Sequence, residues 1–109
     1  MVRTKEQILD LVKQYVDFVD KSIYVEEAYL FGSCAKGFHS EWSDIDVAIL
    51  SDDFEFIPKP VGMKILTRMA QHFESMIEPV VLRPSEKENP IIGSLAHEIF
   101  KTGILILKR

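Results

Sequence analysis

The sequence predicts an α/β (α+β) fold, a small mixed β-sheet flanked by helices, and three observations predict it. Apolar residues recur at helical spacing in separate stretches near the start, the middle and the end of the chain. Between them lie short β-prone runs, "EEAYLF", "DIDVAIL" and "EPVVLR". The chain has 109 residues, 47% apolar and 28% charged, with no Gly/Ser-rich or repetitive stretch, which suits a single domain, residues 1–109, around one core.

Thr4 followed three residues later by Gln7 reads as a capping box, and Ile8, Leu11, Val12, Tyr15, Val16 and Val19 form an apolar stripe, so the first helix is expected from 4 to about 20. Residues 26–31 are β-prone and end at Gly32; residues 44–50 are β-branched and nearly all apolar after Asp46. The second run has the pattern of a central strand buried on both faces. Pro58 and Pro60 break the chain, and Ile65, Leu66, Met69, Ala70, Phe73 and Met76 then predict a helix. A strand over 78–83 follows. Its Pro79 can donate no ladder hydrogen bond, so that end belongs at a strand start or sheet margin. Asn89 with Pro90 reads as a cap and first turn, Ile92, Leu95, Ala96, Ile99 and Phe100 as a helical stripe, Gly103 as its stop, and "ILIL" as a possible last strand.

Thirteen Lys/Arg against seventeen Asp/Glu give a net charge of −4, which argues against a broad nucleic-acid surface, because phosphate contact needs clustered cations. Cys34, the lone cysteine, has no partner for an internal disulfide. The first ten residues lack the continuous apolar stretch of a signal peptide, and no run is long enough to span a membrane, so a cytoplasmic protein is expected.

Asp44 and Asp46 depart from core patterning. Residues two apart in a strand point to one face with Cα atoms about 6.5 Å apart, so these carboxylates project side by side. Unmetallated, they repel each other and are partly desolvated, which raises at least one pKa. A divalent ion removes that penalty, and oxygen ligands favour a hard metal such as Mg²⁺, usually held by a few carboxylates and substrate phosphates. The plainer alternative makes Asp44 a turn cap after Ser43 and Asp46 a solvated edge residue. Ala48 and Leu50 share their face and are apolar, so the acids cluster at one end of an otherwise buried strand, where a cleft can open.

Gly32 lets the backbone turn sharply after Phe31, and Ser33 is expected to cap the short segment "CAKG", whose free N–H groups would face an anion. Together they form a candidate phosphate cradle. The same dipeptide recurs at Gly93-Ser94 inside a helical pattern, where no role is assigned to it.

Gly32-Ser33, ten residues, then Asp44-Ile45-Asp46 resembles the signature of the DNA polymerase β-like nucleotidyltransferase superfamily, and at this length the chain resembles its minimal nucleotidyltransferases. The match includes Tyr29-Leu30-Phe31, the Ala35-Lys36-Gly37 turn, Ser43 before the first acid, and the ending "NPIIGSLAHEIFKTGILI". The resemblance implies a nucleotidyltransferase fold and transfer of a nucleoside monophosphate, AMP from ATP, with release of pyrophosphate. Two Mg²⁺ ions about 3.5 to 4 Å apart would align the attacking oxygen with the α-phosphorus. Asp44 and Asp46 are the implied catalytic and metal-binding acids, and Glu78 best matches the third, a position more commonly Asp. Asp52 and Asp53 are rivals that lie beyond the other end of the strand. Gly32, Ser33, Lys36 and Ser43 are the implied nucleotide-binding residues. Lys36 stands where the family often has Arg; it is equally a cation at a helix C-terminus. Glu78 before Pro79 also reads as a solvated strand start.

Arg83 is expected at the surface and Cys34 as a small buried filler. His39, His72 and His97 have no metal-site spacing, and Trp42 either packs over the loop or shelves a base. The resemblance further implies an antitoxin that transfers AMP to an HEPN-domain toxin. Two other readings stay open: a binding module that silences its partner by contact alone, and a catalytic subunit of a small-molecule nucleotidyltransferase.

Overall fold

The computed structural model describes residues 2–37, 39, 40, 43–74 and 76–109. Its elements are α1 (Lys5–Asp20), β1 (Glu27–Phe31), α2 (Gly32–Lys36), β2 (Ile45–Leu50), a 3₁₀ turn (Asp52–Glu55), α3 (Lys59–Ala70), β3 (Ile77–Leu82), α4 (Pro84–Glu88), α5 (Leu95–Thr102) and β4 (Ile104–Lys108). The four strands form one sheet in the order β3-β2-β1-β4. β1 pairs antiparallel with β2 and with β4, whereas β2 and β3 run parallel, so the sheet is mixed as expected. Trp42 lies outside the described residues.

The capping box forms at α1: Gln7 N–H donates to Thr4 Oγ1 at 3.1 Å, and Thr4 N–H donates to Gln7 Oε1 at 2.8 Å. Satisfying these end groups fixes where the helix starts and hence which stripe it turns inward. That stripe packs on Ile45, Val47 and Ile49 of β2, with Leu66 and Ala70 of α3 beside it. Tyr15 is fully buried there, and its hydroxyl donates to the Leu66 carbonyl at 2.9 Å. Burial pushes the Tyr15 phenol well above its usual range, which keeps it neutral and a donor.

The opposite face carries Tyr29, Ala48, Leu50 and Leu82 beneath Ala96 and Ile99 of α5. β2 therefore has helices over both faces, in agreement with its apolar run, and alternation places Asp46 on the α5 face with Ala48 and Leu50. β3 is a margin strand, which is where Pro79 is tolerated.

Several local expectations change. α3 begins at Lys59, with Pro60 inside its first turn, where a missing N–H costs nothing, and it ends at Ala70 rather than near Met76. α4 lacks any apolar spacing and was not expected; Asn89 closes it instead of opening the next helix. Ser94 is the real cap of α5, its hydroxyl accepting from His97 N–H at 3.1 Å, so Gly93-Ser94 is a helix start. Ile92 precedes α5 and is 87% exposed, outside the buried stripe. Arg83 is half-buried: its Nε donates to the Phe54 carbonyl at 2.6 Å and its Nη2 to the Ile57 carbonyl at 3.2 Å, tying the 3₁₀ turn to β3.

Candidate functional site

Strand register assembles the site. The antiparallel pairing puts Phe31 opposite Asp46, and the parallel pairing puts Asp46 opposite Glu78. Directly opposed residues share a face, so a carboxylate from β2 and one from β3 sit side by side. Asp44 lies just before β2, exposed at the open end of the sheet. Asp52 and Asp53, at the other end of β2, begin the 3₁₀ turn behind the Ser51 cap and take no part.

Gly32 follows Phe31 with φ +74°, a conformation that suits glycine. A Cβ built there would stand 2.2 Å from Asp46 Oδ2. The glycine is thus demanded twice, by its backbone angle and by the carboxylate pressed against it. It brings the Gly-Ser turn against the acids across the ten residues that separate Ser33 from Asp44. Ser33 sits inside the first turn of α2 and is not its cap; Phe31 holds the cap position in extended conformation with no side-chain cap bond. The difference follows from the helix starting at Gly32, two residues earlier than a Ser33 cap would need. Gly37, at φ +82°, ends the turn.

Cys34 is buried, and its thiol donates to the Asp44 carbonyl at 3.4 Å, which ties α2 to the chain entering β2. Burial, then the Asp46 charge, push this thiol up, so it is a packing group and no nucleophile. Ser43 is half-buried; its hydroxyl accepts from Ser40 N–H at 2.8 Å and holds the loop. Lys36 is exposed in the last turn of α2.

The carboxylates perturb one another. Burial, reinforced by the Asp44 charge, raises Asp46 above its ordinary range. Glu78 is also raised, first by a hydrogen bond to Asp44, then by burial and by the charges of Asp44 and Asp46. Among the described residues no Lys or Arg forms an ion pair with any of the three; the cations Arg3, Lys59, Lys87 and Arg109 pair instead with Glu74, Glu86, Glu27 and Asp20. Among the described residues no three His, Cys, Asp or Glu side chains stand as a ready-made metal cage. The donor set itself, hard oxygens that repel one another with no Lys or Arg paired to them among the described residues, fits a divalent ion such as Mg²⁺.

Beyond Glu78 a cleft of about 400 Å³ opens between α3 and the first residues of β3. Asp44 and Glu78 reach it, and Met63 and Thr67 of α3, with Met76 and Pro79, wall it. The i, i+4 spacing of Met63 and Thr67 is the sequence signal for this wall of α3, next to the stronger apolar stripe of Ile65, Leu66 and Met69.

Comparison with known proteins agrees with this architecture. The family model described as polymerase beta, nucleotidyltransferase matches residues 6–109, so the chain belongs to that family. A curated protein of Methanocaldococcus jannaschii, provisionally named protein adenylyltransferase MJ0141, is 26% identical over 84 residues, 74% of this chain and 85% of the relative. A crystal structure of a protein from Sulfolobus solfataricus, provisionally named a nucleotidyltransferase, superposes with a TM-score of 0.71 at 26% identity, covering 96% of this chain and 84% of that one. A toxin–antitoxin crystal structure with AMP-PNP superposes with a TM-score of 0.56 at 18% identity, over 93% of this chain and 73% of that one. The toxin–antitoxin MntA-HpeT gives a TM-score of 0.55 at 16% identity, over 98% and 75%. These last two likenesses are of fold.

Proposed function

We propose that the chain is a Mg²⁺-dependent adenylyltransferase that moves AMP from ATP to a partner toxin, an HEPN-domain protein, and so acts as its antitoxin. The observation that carries the proposal is the contact between the Gly32 backbone and the Asp46 carboxylate, which joins a phosphate cradle to a cation-seeking acid cluster. The name of the methanogen relative supports a protein acceptor and AMP as the transferred group. The toxin–antitoxin neighbours, one with AMP-PNP, support the partner and the nucleotide.

Asp44, Asp46 and Glu78 would hold two Mg²⁺ ions, which supply charge neutralisation and alignment for displacement at the α-phosphorus. The protein's part is placement. Gly32 leaves room for the Asp46 carboxylate that any side chain would displace, Ser33 and the first N–H groups of α2 donate to phosphate oxygens, and Lys36 meets the distal phosphates as an exposed cation. The thiol bond from Cys34 keeps Asp44 in register with that turn. Incubation with ATP, Mg²⁺ and the product of the adjacent gene, followed by mass spectrometry of both chains, tests the reading. An added AMP on the partner is expected; unchanged masses in a stable complex would leave silencing by contact alone.

A further inference from the structure

We infer that Arg3 is a positioning residue for the acid cluster: through Glu74 on one side and His39 on the other, it sets the separation of the two turns that deliver Asp44 and Glu78. The inference rests on the metal-dependent reading above and concerns how the site is held, with no contact between Arg3 and substrate. Strand pairing leaves this task undone. The β2–β3 ladder starts at Ile45 and Ile77, so Asp44 lies before the first paired residue and Glu78 sits on the second rung. Where these two carboxylates stand therefore depends on the turns that lead into the strands.

Both turns are tied to Arg3. Ahead of β2, Ser40 N–H donates to Ser43 Oγ at 2.8 Å and Ser43 N–H to the Ser40 carbonyl at 3.2 Å. His39, at the base of that turn, donates from Nε2 to the Arg3 carbonyl at 2.8 Å. Ahead of β3, Glu74 organises the other turn: its Oε1 accepts from Met76 N–H at 3.3 Å and its carbonyl from Ile77 N–H at 3.0 Å. The remaining carboxylate oxygen, Oε2, pairs with the Arg3 guanidinium. Ile45 N–H donates to the Met76 carbonyl at 2.8 Å, which joins the two turns to each other. Arg3 is itself fixed in place by the next residue, Thr4, the cap of α1.

The plainer alternative is a surface ion pair with no consequence for the site. The side chains of Arg3 and Glu74 are 41% and 23% exposed, and pairs so placed add little to stability. Geometry gives this pair a different weight. The Glu74 carboxylate is shared between a cation and the N–H of Met76, two residues before Glu78, so without the cation it is free to turn to water and release the turn. Groups that orient metal ligands from behind change metal affinity by about 10–100-fold, and a ligand displaced by about 1 Å from far away is enough to matter.

Mn²⁺ titrations of the full chain, read by electron paramagnetic resonance in the absence of nucleotide, test this. Arg3→Gln and Glu74→Gln, the second of which keeps an acceptor for Met76 N–H, should each weaken Mn²⁺ binding by about tenfold while melting temperatures in chelator stay close to wild type. The double variant should be no worse than either single one, since both break the same pair, and Arg3→Lys should recover most of the affinity. Wild-type Mn²⁺ affinity in Arg3→Gln overturns the inference, whether or not that variant melts earlier. So do losses that add in the double variant, or a loss in Arg3→Gln that Glu74→Gln does not share. A wild-type chain that ignores millimolar Mn²⁺ would sink the metal-dependent reading and this inference with it. The expected Mn²⁺ pattern without any AMP transfer would support the inference and sink the adenylyl-transfer reading alone.

Discussion

Asp46 Oδ2 fills the space where a side chain on Gly32 would begin: a Cβ there would lie 2.2 Å from that oxygen. Strand pairing produces this closeness, since Phe31 and Asp46 are directly opposed and Gly32 is the next residue. Gly32→Ala must both hold a left-handed backbone angle and displace a carboxylate. We expect it to lower stability by roughly 1–3 kcal/mol and to reduce nucleotidyl transfer by more than tenfold. Chemical denaturation and a pyrophosphate-release assay check the two effects; a variant with wild-type transfer would mean that the carboxylate's position does not matter.

Asp46→Asn should cut transfer on the order of 10²–10³-fold while keeping the fold, and in metal-free buffer it should be as stable as the wild type or slightly more so. The reason is that Asp46 is raised by burial and by Asp44, so removing its charge relieves a repulsion. Circular dichroism melts alongside the transfer assay separate the two quantities. Unfolding of the variant would show the acid to be a structural group.

The pH dependence has a definite sign. Glu78 and Asp46 have folded pKa values above their ordinary 4.5 and 3.8. Between the ordinary and the raised value the folded chain binds more protons than the unfolded one, so the stability these groups contribute is present below the ordinary value and is lost as pH rises. Metal-free protein should therefore lose stability as pH climbs through that acid window, and Glu78→Gln should flatten the loss. Urea titrations at successive pH values measure it; a Glu78→Gln profile identical to wild type would place Glu78 away from the other acids.

Ser94→Ala should cost about 0.5–2 kcal/mol by removing the cap of α5, whereas Asn89→Ala should leave α5 intact. Equilibrium denaturation of the two variants compares them directly, and a larger loss at Asn89 would restore the earlier start of that helix.

Tyr15→Phe leaves the Leu66 carbonyl without its buried donor and should cost about 1–3 kcal/mol. Denaturation midpoints measure it, and a neutral substitution would mean that water replaces the phenol.

What the sequence made legible was what local pattern controls. The α1 stripe, the two-sided burial of β2 and the parity that puts Asp46 with Ala48 and Leu50 follow from periods of 3.6 and 2. The Gly-Ser turn and the acid pair could be related because a fixed spacing joins them across one antiparallel pairing. Glu78 is different: its place opposite Asp46 depends on a parallel pairing whose register no local residue announces. α4 escaped because "PSEKE" has no apolar stripe, being held by polar ties such as Ser85 to Glu55 and Lys59 to Glu86. At the start of α5 two plausible caps competed, and the hydroxyl of Ser94 won over Asn89, which closes the preceding turn. Arg83 looked like a surface cation because the carbonyls of Phe54 and Ile57 that it satisfies come from another part of the chain.

The most direct measurement is the melting temperature of the wild type and of Asp44→Asn with Mg²⁺ alone, with α,β-methylene-ATP alone, and with both. A chelated triphosphate bound between the acids and the Gly32-Ser33 turn stabilises by mass action. A clear upward shift is expected for the wild type only when metal and nucleotide are present together, and its loss is expected in Asp44→Asn. An equal shift in the variant, or none in the wild type at millimolar ligand, would contradict it.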